Sequence, residues 1–252
     1  MRWRFLDSGA GDGVTQMAVD VGLMDRARKT GEAVLRVYAW SRPTISFGRH
    51  EAARDRFDAA DLSALGIDAV RRPTGGRVLL HRREVTYSVT APADPDVSLV
   101  DRYRSINALL LNALAGLGVR ATEAQEAGTR RFAPTCFAEP SRGELTVDGR
   151  KLVGSAQLSE RGAMLQHGSV LLADDQGELA RASLGRVPAP RPAATLDEAL
   201  GRPVAYAEVC RALQRALHTA HPNCAPLTEE EVTPLALVHR DRFASPEWTW
   251  RR

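Results

Sequence analysis

Lysine is nearly absent from this sequence: of 34 basic residues, only Lys29 and Lys151 are not arginine. Long apolar runs are missing as well. No stretch approaches the roughly 18 uninterrupted apolar residues of a membrane-crossing helix, so no membrane span is expected. Cysteine is scarce. Cys136, Cys210 and Cys224 are too few and too scattered for a disulfide framework, which points to reduced thiols and a cytoplasmic protein. The opening Met-Arg-Trp-Arg-Phe-Leu-Asp-Ser-Gly has charge but no apolar run behind it, unlike a secretory signal. Net charge is low for the length, +3. That suits an acidic protein partner and gives no case for nucleic acid.

What is present is enough apolar residue, 44% of 252, for a substantial core. Met17, Ala18, Val21, Met24 and Ala27 recur at helical spacing and predict a helix over 15–28, with Thr15 as cap. Strands are expected over 33–39 and 44–48, separated by Trp40-Ser41-Arg42-Pro43, and over 67–72, 78–81 and 85–90. Helices are expected over 58–65, 101–117 and 206–220, with further strands over 144–147, 152–157 and 164–172. The Pro-rich stretch within 187–194 reads as a linker between a core of residues 1–186 and a helical C-terminal part, 195–252, of the same domain. Strands mixed with hairpins and helices give an α+β class, a mixed sheet flanked by helices.

Four segments could carry chemistry. In Arg71-Arg72-Pro73-Thr74-Gly75-Gly76-Arg77, adjacent glycines let backbone approach an anion or carbonyl closely, and the arginines add charge. A hairpin turn with solvated arginines is the plainer alternative. Cys136 lies in a Pro-flanked segment, where a thiolate nucleophile could sit with Arg130, Arg131 and Arg142 near in sequence; a small buried hydrophobe is the alternative. Asp148-Gly149 marks a tight turn, after which Lys151 opens a strand of small residues, Gly154, Ser155 and Ala156. A substrate chain could lie along that backbone with the ammonium at a carbonyl, or the lysine could be an exposed turn residue. His167, in Gln166-His167-Gly168-Ser169, could serve a site or be a satisfied core histidine. His218, His221 and Cys224, with Cys210 upstream, have metal-ligand spacing, yet Cys210 falls on the apolar face of the 206–220 helix. Core packing accounts for it, and no metal is expected.

Taken in order, these segments resemble the lipoate/biotin protein ligase superfamily: Arg-Arg-x-Thr-Gly-Gly-Arg-x-x-Leu-His, Cys-Phe-x-x-Pro-Ser, Gly-Arg-Lys-x-x-Gly-Ser-Ala-Gln and Gln-His-Gly-Ser. The 35–48 and 17–27 segments and the closing Ser245-Pro246-Glu247-Trp248 fit the same pattern, so the resemblance spans nearly the whole chain. Cys136, followed by Phe137, Pro140 and Ser141 ahead of Lys151, makes the chain most similar to the cysteine-dependent octanoyltransferases. One departure stands out: Arg82-Arg83 follow His81 where those transferases usually carry acidic residues.

The resemblance implies the class II synthetase and biotin-lipoate ligase catalytic fold. It implies octanoyl or lipoyl transfer from acyl carrier protein to a lysine of a lipoyl-domain protein, such as the H protein of glycine cleavage. Cys136 and Lys151 would be catalytic. Arg72, Thr74, Gly75, Gly76, His81, Gly154, Ser155, Ala156, His167 and Gly168 would bind substrate, and no cofactor would be needed. An ATP- and Mg²⁺-dependent lipoate ligase is the alternative. There Lys151 and Arg72 would contact an acyl-adenylate and Cys136 would be a bystander. A scaffold that binds lipoyl domains without chemistry is a second alternative.

Overall fold

The structure, a computed structural model, describes residues 1–125 and 135–252. In chain order the elements are β1 (Arg2–Gly11), α1 (Gly13–Thr30), β2 (Glu32–Trp40), β3 (Thr44–Phe47), α2 (Ala59–Ala64), β4 (Asp68–Arg71), β5 (Leu79–His81), β6 (Glu84–Pro92) and α3 (Leu99–Gly116). They continue as β7 (Thr122–Glu123), β8 (Leu145–Val147), β9 (Arg150–Glu160), β10 (Ala163–Leu171), α4 (Glu178–Ala182), α5 (Leu196–Leu200), α6 (Tyr206–Ala220), β11 (Ala225–Pro226), α7 (Glu229–Ala244) and α8 (Pro246–Thr249).

Eight strands form one mixed sheet in the order β11-β1-β2-β6-β10-β9-β8-β7, and β4-β3-β5 form a second. The pairs β1–β11 and β1–β2 are parallel; β2–β6, β6–β10, β10–β9 and β9–β8 are antiparallel. Residues alternate between faces along each strand. On one face Leu35, Val37, Val85, Tyr87, Val89, Met164 and Val170 pack with Ile106, Leu110 and Leu114 of α3 and Val209, Leu213 and Leu217 of α6. On the other face α1 covers β2, β6 and β10, and α7 packs on α1. There the strand centres present Arg36, Thr86, Ser88, His167 and Ser169, all buried. Polar residues at positions that alternation assigns to the interior mark where the fold gives up apolar packing for chemistry.

The expected α+β mixed sheet is what forms, and each expected element is found within a few residues of its expected bounds, whereas β1, β7, β11, α4, α5, α7 and α8 were not expected. The cap of α1 is Asp12, not Thr15: its carboxylate accepts from the Thr15 N–H at 2.9 Å and from the Thr15 hydroxyl at 2.8 Å. The Pro-rich stretch has no regular secondary structure, but Val187, Ala193 and Ala194 are buried, and the Ala194 N–H donates to the Lys151 carbonyl at 3.0 Å. It therefore packs as a strap against β9 rather than hanging free as a linker. Among the described residues no helix is long and apolar enough to cross a membrane.

Candidate active site

The segment that carries Cys136 is fixed by two neighbours. Thr135 bridges to Val78, and the Cys136 N–H donates to the Val78 carbonyl at 2.9 Å. Phe137, buried, packs with Leu79, Leu171 and Ala193. Across from it, β8 and β9 form the Asp148-Gly149 hairpin, whose register pairs Thr146 with Lys151. Lys151 then points inward. Its ammonium donates to the Cys136 carbonyl at 2.5 Å and to Glu144 Oε1 at 2.6 Å, stands 3.7 Å from Cys136 Sγ, and lies 5.0 Å from the Phe137 ring centre. The second Glu144 oxygen accepts the Ser141 N–H at 2.7 Å. Asn107 of α3 holds the same loop through the Gly143 carbonyl at 2.6 Å.

Three acceptors around one nitrogen match the three N–H donors of an ammonium beside a thiolate. The same geometry suits an amine that accepts a thiol S–H and donates twice. Gly154 makes the approach possible: a Cβ there would stand 2.9 Å from Lys151 Cε and 3.3 Å from Cys136 Sγ.

The Thr74-Gly75-Gly76 loop lies behind the lining, bonded to it through Arg72 and His167. Arg72 builds this loop from inside. Its guanidinium donates to the carbonyls of Ser46 (2.9 Å), Gly75 (3.1 Å) and Arg77 (2.7 Å) and to Ser46 Oγ (3.0 Å). Burial pushes its pKa down, partly countered by Cys136 and Glu51. Arg71 works in the other direction. It clamps the carbonyls of Gly48 (2.6 Å), Glu51 (2.8 Å) and Thr249 (3.0 Å), and burial followed by repulsion from Arg251 brings it down to about 10. The pocket is lined by Met17, Trp40, Leu79, Cys136, Gly154–Ala156 and His167–Ser169, and encloses about 30 Å³.

Two hydrogen-bond chains support the floor. In the first, Thr74 Oγ1 and His167 Nε2 are 2.6 Å apart, and His167 Nδ1 lies 3.0 Å from Asp20 Oδ2. Asp20 also accepts from Arg36 and Ser88, both at 2.8 Å. Burial raises the Asp20 carboxyl, but bonds and charge from His167, Arg36 and Ser88 outweigh it and hold the group below its ordinary value. Burial lowers His167 despite Asp20. A neutral imidazole beside an ionised carboxylate carries its proton on Nδ1, so Nε2 accepts from Thr74. In the second chain Ser46 Oγ, which accepts from Arg72, lies 2.7 Å from His81 Nε2, and His81 Nδ1 lies 2.7 Å from Glu84 Oε1. Trp40 stacks on His81 at 3.9 Å, and Thr86 and Ser169 also donate to Glu84. These polar side chains bond mainly to one another, although Glu84 Oε2 is buried without a partner, and what they turn toward the pocket is largely carbon.

The residues expected from sequence thus converge. Cys136, Arg72, His81, Gly154, Ser155, Ala156, His167 and Gly168 line one pocket, Lys151 touches Cys136, and Thr74–Gly76 border it through Arg72 and His167. Ser155 meets the Tyr87 hydroxyl at 2.6 Å. Arg130 and Arg131 lie outside the described residues. Arg82 and Arg83 face acids, Glu178 at 2.6 Å and Asp175 at 2.6 Å. His221 stacks on Trp3 and Cys210 bonds Asp7, and among the described residues no three metal-ligating side chains cluster. Sequence reasoning missed Glu144, Glu84 and Asp20. Asp20 left a signal, an acid on the Met17–Val21–Met24 stripe that had to find a buried partner. Glu144 left a weaker one, an acid just ahead of the strand that pairs with Lys151.

The mixed sheet and its covering helices are those of the lipoate-ligase catalytic fold. Residues 12–218 match the lipoyl protein ligase A/B catalytic domain, and the chain belongs to that family. It is 37% identical to an octanoyltransferase LipM of Kyrpidia tusciae, with 99% of each chain covered. It is 30% identical to one of Bacillus subtilis, with 99% of this chain and 98% of that one covered. In fold it is similar to a lipoate-protein ligase A solved with ATP, at TM-score 0.79, 23% identity and 99% of each chain. It is also similar to a bipartite lipoate protein ligase of Thermoplasma acidophilum, at TM-score 0.75, 21% identity, 99% of this chain and 96% of that one.

Proposed function

We propose that the chain is an octanoyltransferase of protein lipoylation that works through an acyl-Cys136 thioester. The observation that carries this reading is the contact of Cys136 Sγ with Lys151 Nζ at 3.7 Å in the wall of a carbon-lined pocket. The relatives named octanoyltransferases, matched over nearly their whole length, support it.

In the first half-reaction the Cys136 thiolate attacks the octanoyl thioester carbonyl of the donor, acyl carrier protein. The Lys151 ammonium is the nearest cation to the oxyanion that develops. Collapse expels the donor thiolate, which takes a proton from Lys151 and leaves as a thiol. In the second half-reaction the ε-amine of the acceptor lysine, on a lipoyl-domain protein such as glycine-cleavage H protein, attacks acyl-Cys136. Its proton passes to Lys151, and the tetrahedral intermediate expels the Cys136 thiolate, which restores the starting pair. Thioester-for-thioester exchange is nearly isoenergetic and thioester-to-amide is downhill, so the reaction needs neither ATP nor Mg²⁺ and fits the cytoplasm. The 30 Å³ pocket has room for about one water. An eight-carbon chain therefore enters by displacing flexible side chains such as Met17.

Intact mass after mixing with octanoyl-acyl carrier protein, without nucleotide, tests the reading. One octanoyl mass, removable by hydroxylamine, is expected on wild type, Cys210→Ala and Cys224→Ala, and none on Cys136→Ala. Full turnover by Cys136→Ala, or amide formation from free acid only with ATP, would mean a ligase instead.

A further inference from the structure

Away from Cys136, the structure gathers charge that the acyl chemistry does not use. Arg49 follows β3, and its N–H donates to the Thr74 carbonyl at 2.7 Å, which seats it on the Thr74–Gly76 loop. Its guanidinium reaches Glu160 at 3.7 Å, at the far end of β9. Arg242 of α7 and Arg251 both lie over the Trp248 ring, at 3.8 and 4.1 Å from its centre. Arg251 also donates to the Arg49 carbonyl, while its Nε is buried with no hydrogen-bond partner. Trp248 is itself fixed, its indole N–H donating to the Arg71 carbonyl at 2.8 Å.

Three guanidiniums are thus held together; Glu160 pairs with Arg49 and offsets Arg242, while Arg252 adds to the positive charge beside Arg251. Burial lowers Arg242 and Arg251, and Arg49 lowers both further. Packing like charges against one another costs free energy unless an anion joins them. The Trp248 platform preorganises two planar forks, a geometry suited to phosphate oxygens.

We propose that Arg49, Arg242 and Arg251 form a phosphate site beyond the Thr74–Gly76 loop, at the end of β9 remote from Cys136, which takes the phosphodiester of the phosphopantetheine arm on the acyl donor. The inference rests on the transfer reading above and adds how the donor is recognised. The distances agree. Gly154 lies beside Cys136 Sγ and Glu160 beside Arg49. Six residues along β9 separate them by about 20 Å. A pantetheine arm, whose bonds match backbone bonds in length, spans on the order of 15–20 Å when extended. A phosphate held at the arginines therefore lets the thioester reach Cys136.

The test compares octanoyl-4′-phosphopantetheine with octanoyl-pantetheine, which differ only in the phosphate, as donors for acylation of Cys136. Wild type should favour the phosphorylated donor in kcat/KM. Arg49→Gln, Arg242→Gln and Arg251→Gln should each reduce that preference about tenfold at low salt, the scale of one charge-assisted hydrogen bond. Arg120→Gln, an exposed arginine after α3, should keep it. Because the readout is a ratio, a variant that folds poorly lowers both rates and leaves the preference intact. Equal rates in wild type, or a preference that survives all three substitutions, overturns the proposal. A third arm supplies octanoate and ATP. If the substitutions impair only that arm, the phosphate belongs to a nucleotide and the proposal falls. Failure of Cys136 to acylate from either thioester would instead remove the transfer reading.

Discussion

Glu144 and Lys151 meet at 2.6 Å beside Cys136, with side-chain exposures of only 8% and 3%. The ammonium is not free to wander. Glu144 fixes it against Cys136, and the Ser141 N–H fixes Glu144 in turn. Glu144→Gln keeps the shape but removes the counter-charge. Hydrogen bonds to charged groups contribute about 1.5–3 kcal/mol, so acylation of Cys136 should fall about ten- to a hundredfold. In a Lys151→Ala background the same change should add little, since the two residues act as one unit. Additive losses in that double-mutant cycle would show that Glu144 acts elsewhere.

Gly154 predicts a steric result. A Cβ at this position meets the end of Lys151 and the Cys136 sulfur, not the backbone. Gly154→Ala should therefore fold, yet push nucleophile and ammonium apart. Misplacement by about 1 Å can cost on the order of 10²-fold in rate, and a loss of that order is expected in single-turnover acylation. Gly116→Ala is the control: nothing lies within 4 Å of its added Cβ, and a helical alanine is favourable. Unimpaired acylation by Gly154→Ala would place the reacting sulfur on another rotamer path.

What the sequence disclosed follows from how far each interaction reaches along the chain. Helices α1 and α6 were legible because their apolar stripes are local. Strand β1 was hidden by Ser8-Gly9-Ala10-Gly11, poor strand formers that enter the sheet through a register shift after Asp7. Helix α7 was hidden by Pro234 and by the exposure of Leu237 and Val238. Within the site, Cys136 and Lys151 stood out through residue type and scarcity. The charge of Arg72 was legible too, but not that backbone carbonyls would absorb its donors. Asp20 bonds His167, a residue 147 positions away, and only the packing of α1 on the sheet brings them together.

The same pair predicts a pH effect on stability. Folding lowers the His167 pKa, so below the usual imidazole value the unfolded chain binds a proton that the folded chain refuses. Stability from this residue is full above pH 6.5 or so and falls as pH drops toward the folded value, by at most about 1.4 kcal/mol per unit. Asp20, also lowered, adds a loss in the same direction below its own ordinary range. Thermal unfolding from pH 8 to 5 should show wild type losing stability faster than His167→Gln, which has no imidazole to protonate. Parallel curves would mean that His167 titrates alike in both states.

The two lysines offer the last prediction as a matched pair. Lys29 is exposed at the end of α1, whereas Lys151 is buried among the Cys136 carbonyl, Cys136 Sγ and Glu144. Arginine keeps the charge in both places. At Lys29 there is solvent to receive the larger group, so Lys29→Arg should leave rate and stability unchanged. At Lys151 three acceptors surround one point, and a planar fork cannot direct its donors to all of them from a single nitrogen. Its bulk also presses toward Gly154, where no side chain can yield because none is present. Loss of one oxyanion-type donor costs about 10²–10³ in rate, and Lys151→Arg should lose acyl transfer on that scale while Cys136 remains present and the chain folds. Transfer rates for both variants, read beside their thermal unfolding, decide the matter. Near wild-type transfer by Lys151→Arg would mean that charge alone suffices at this position and that the compact ammonium is not what the site selects.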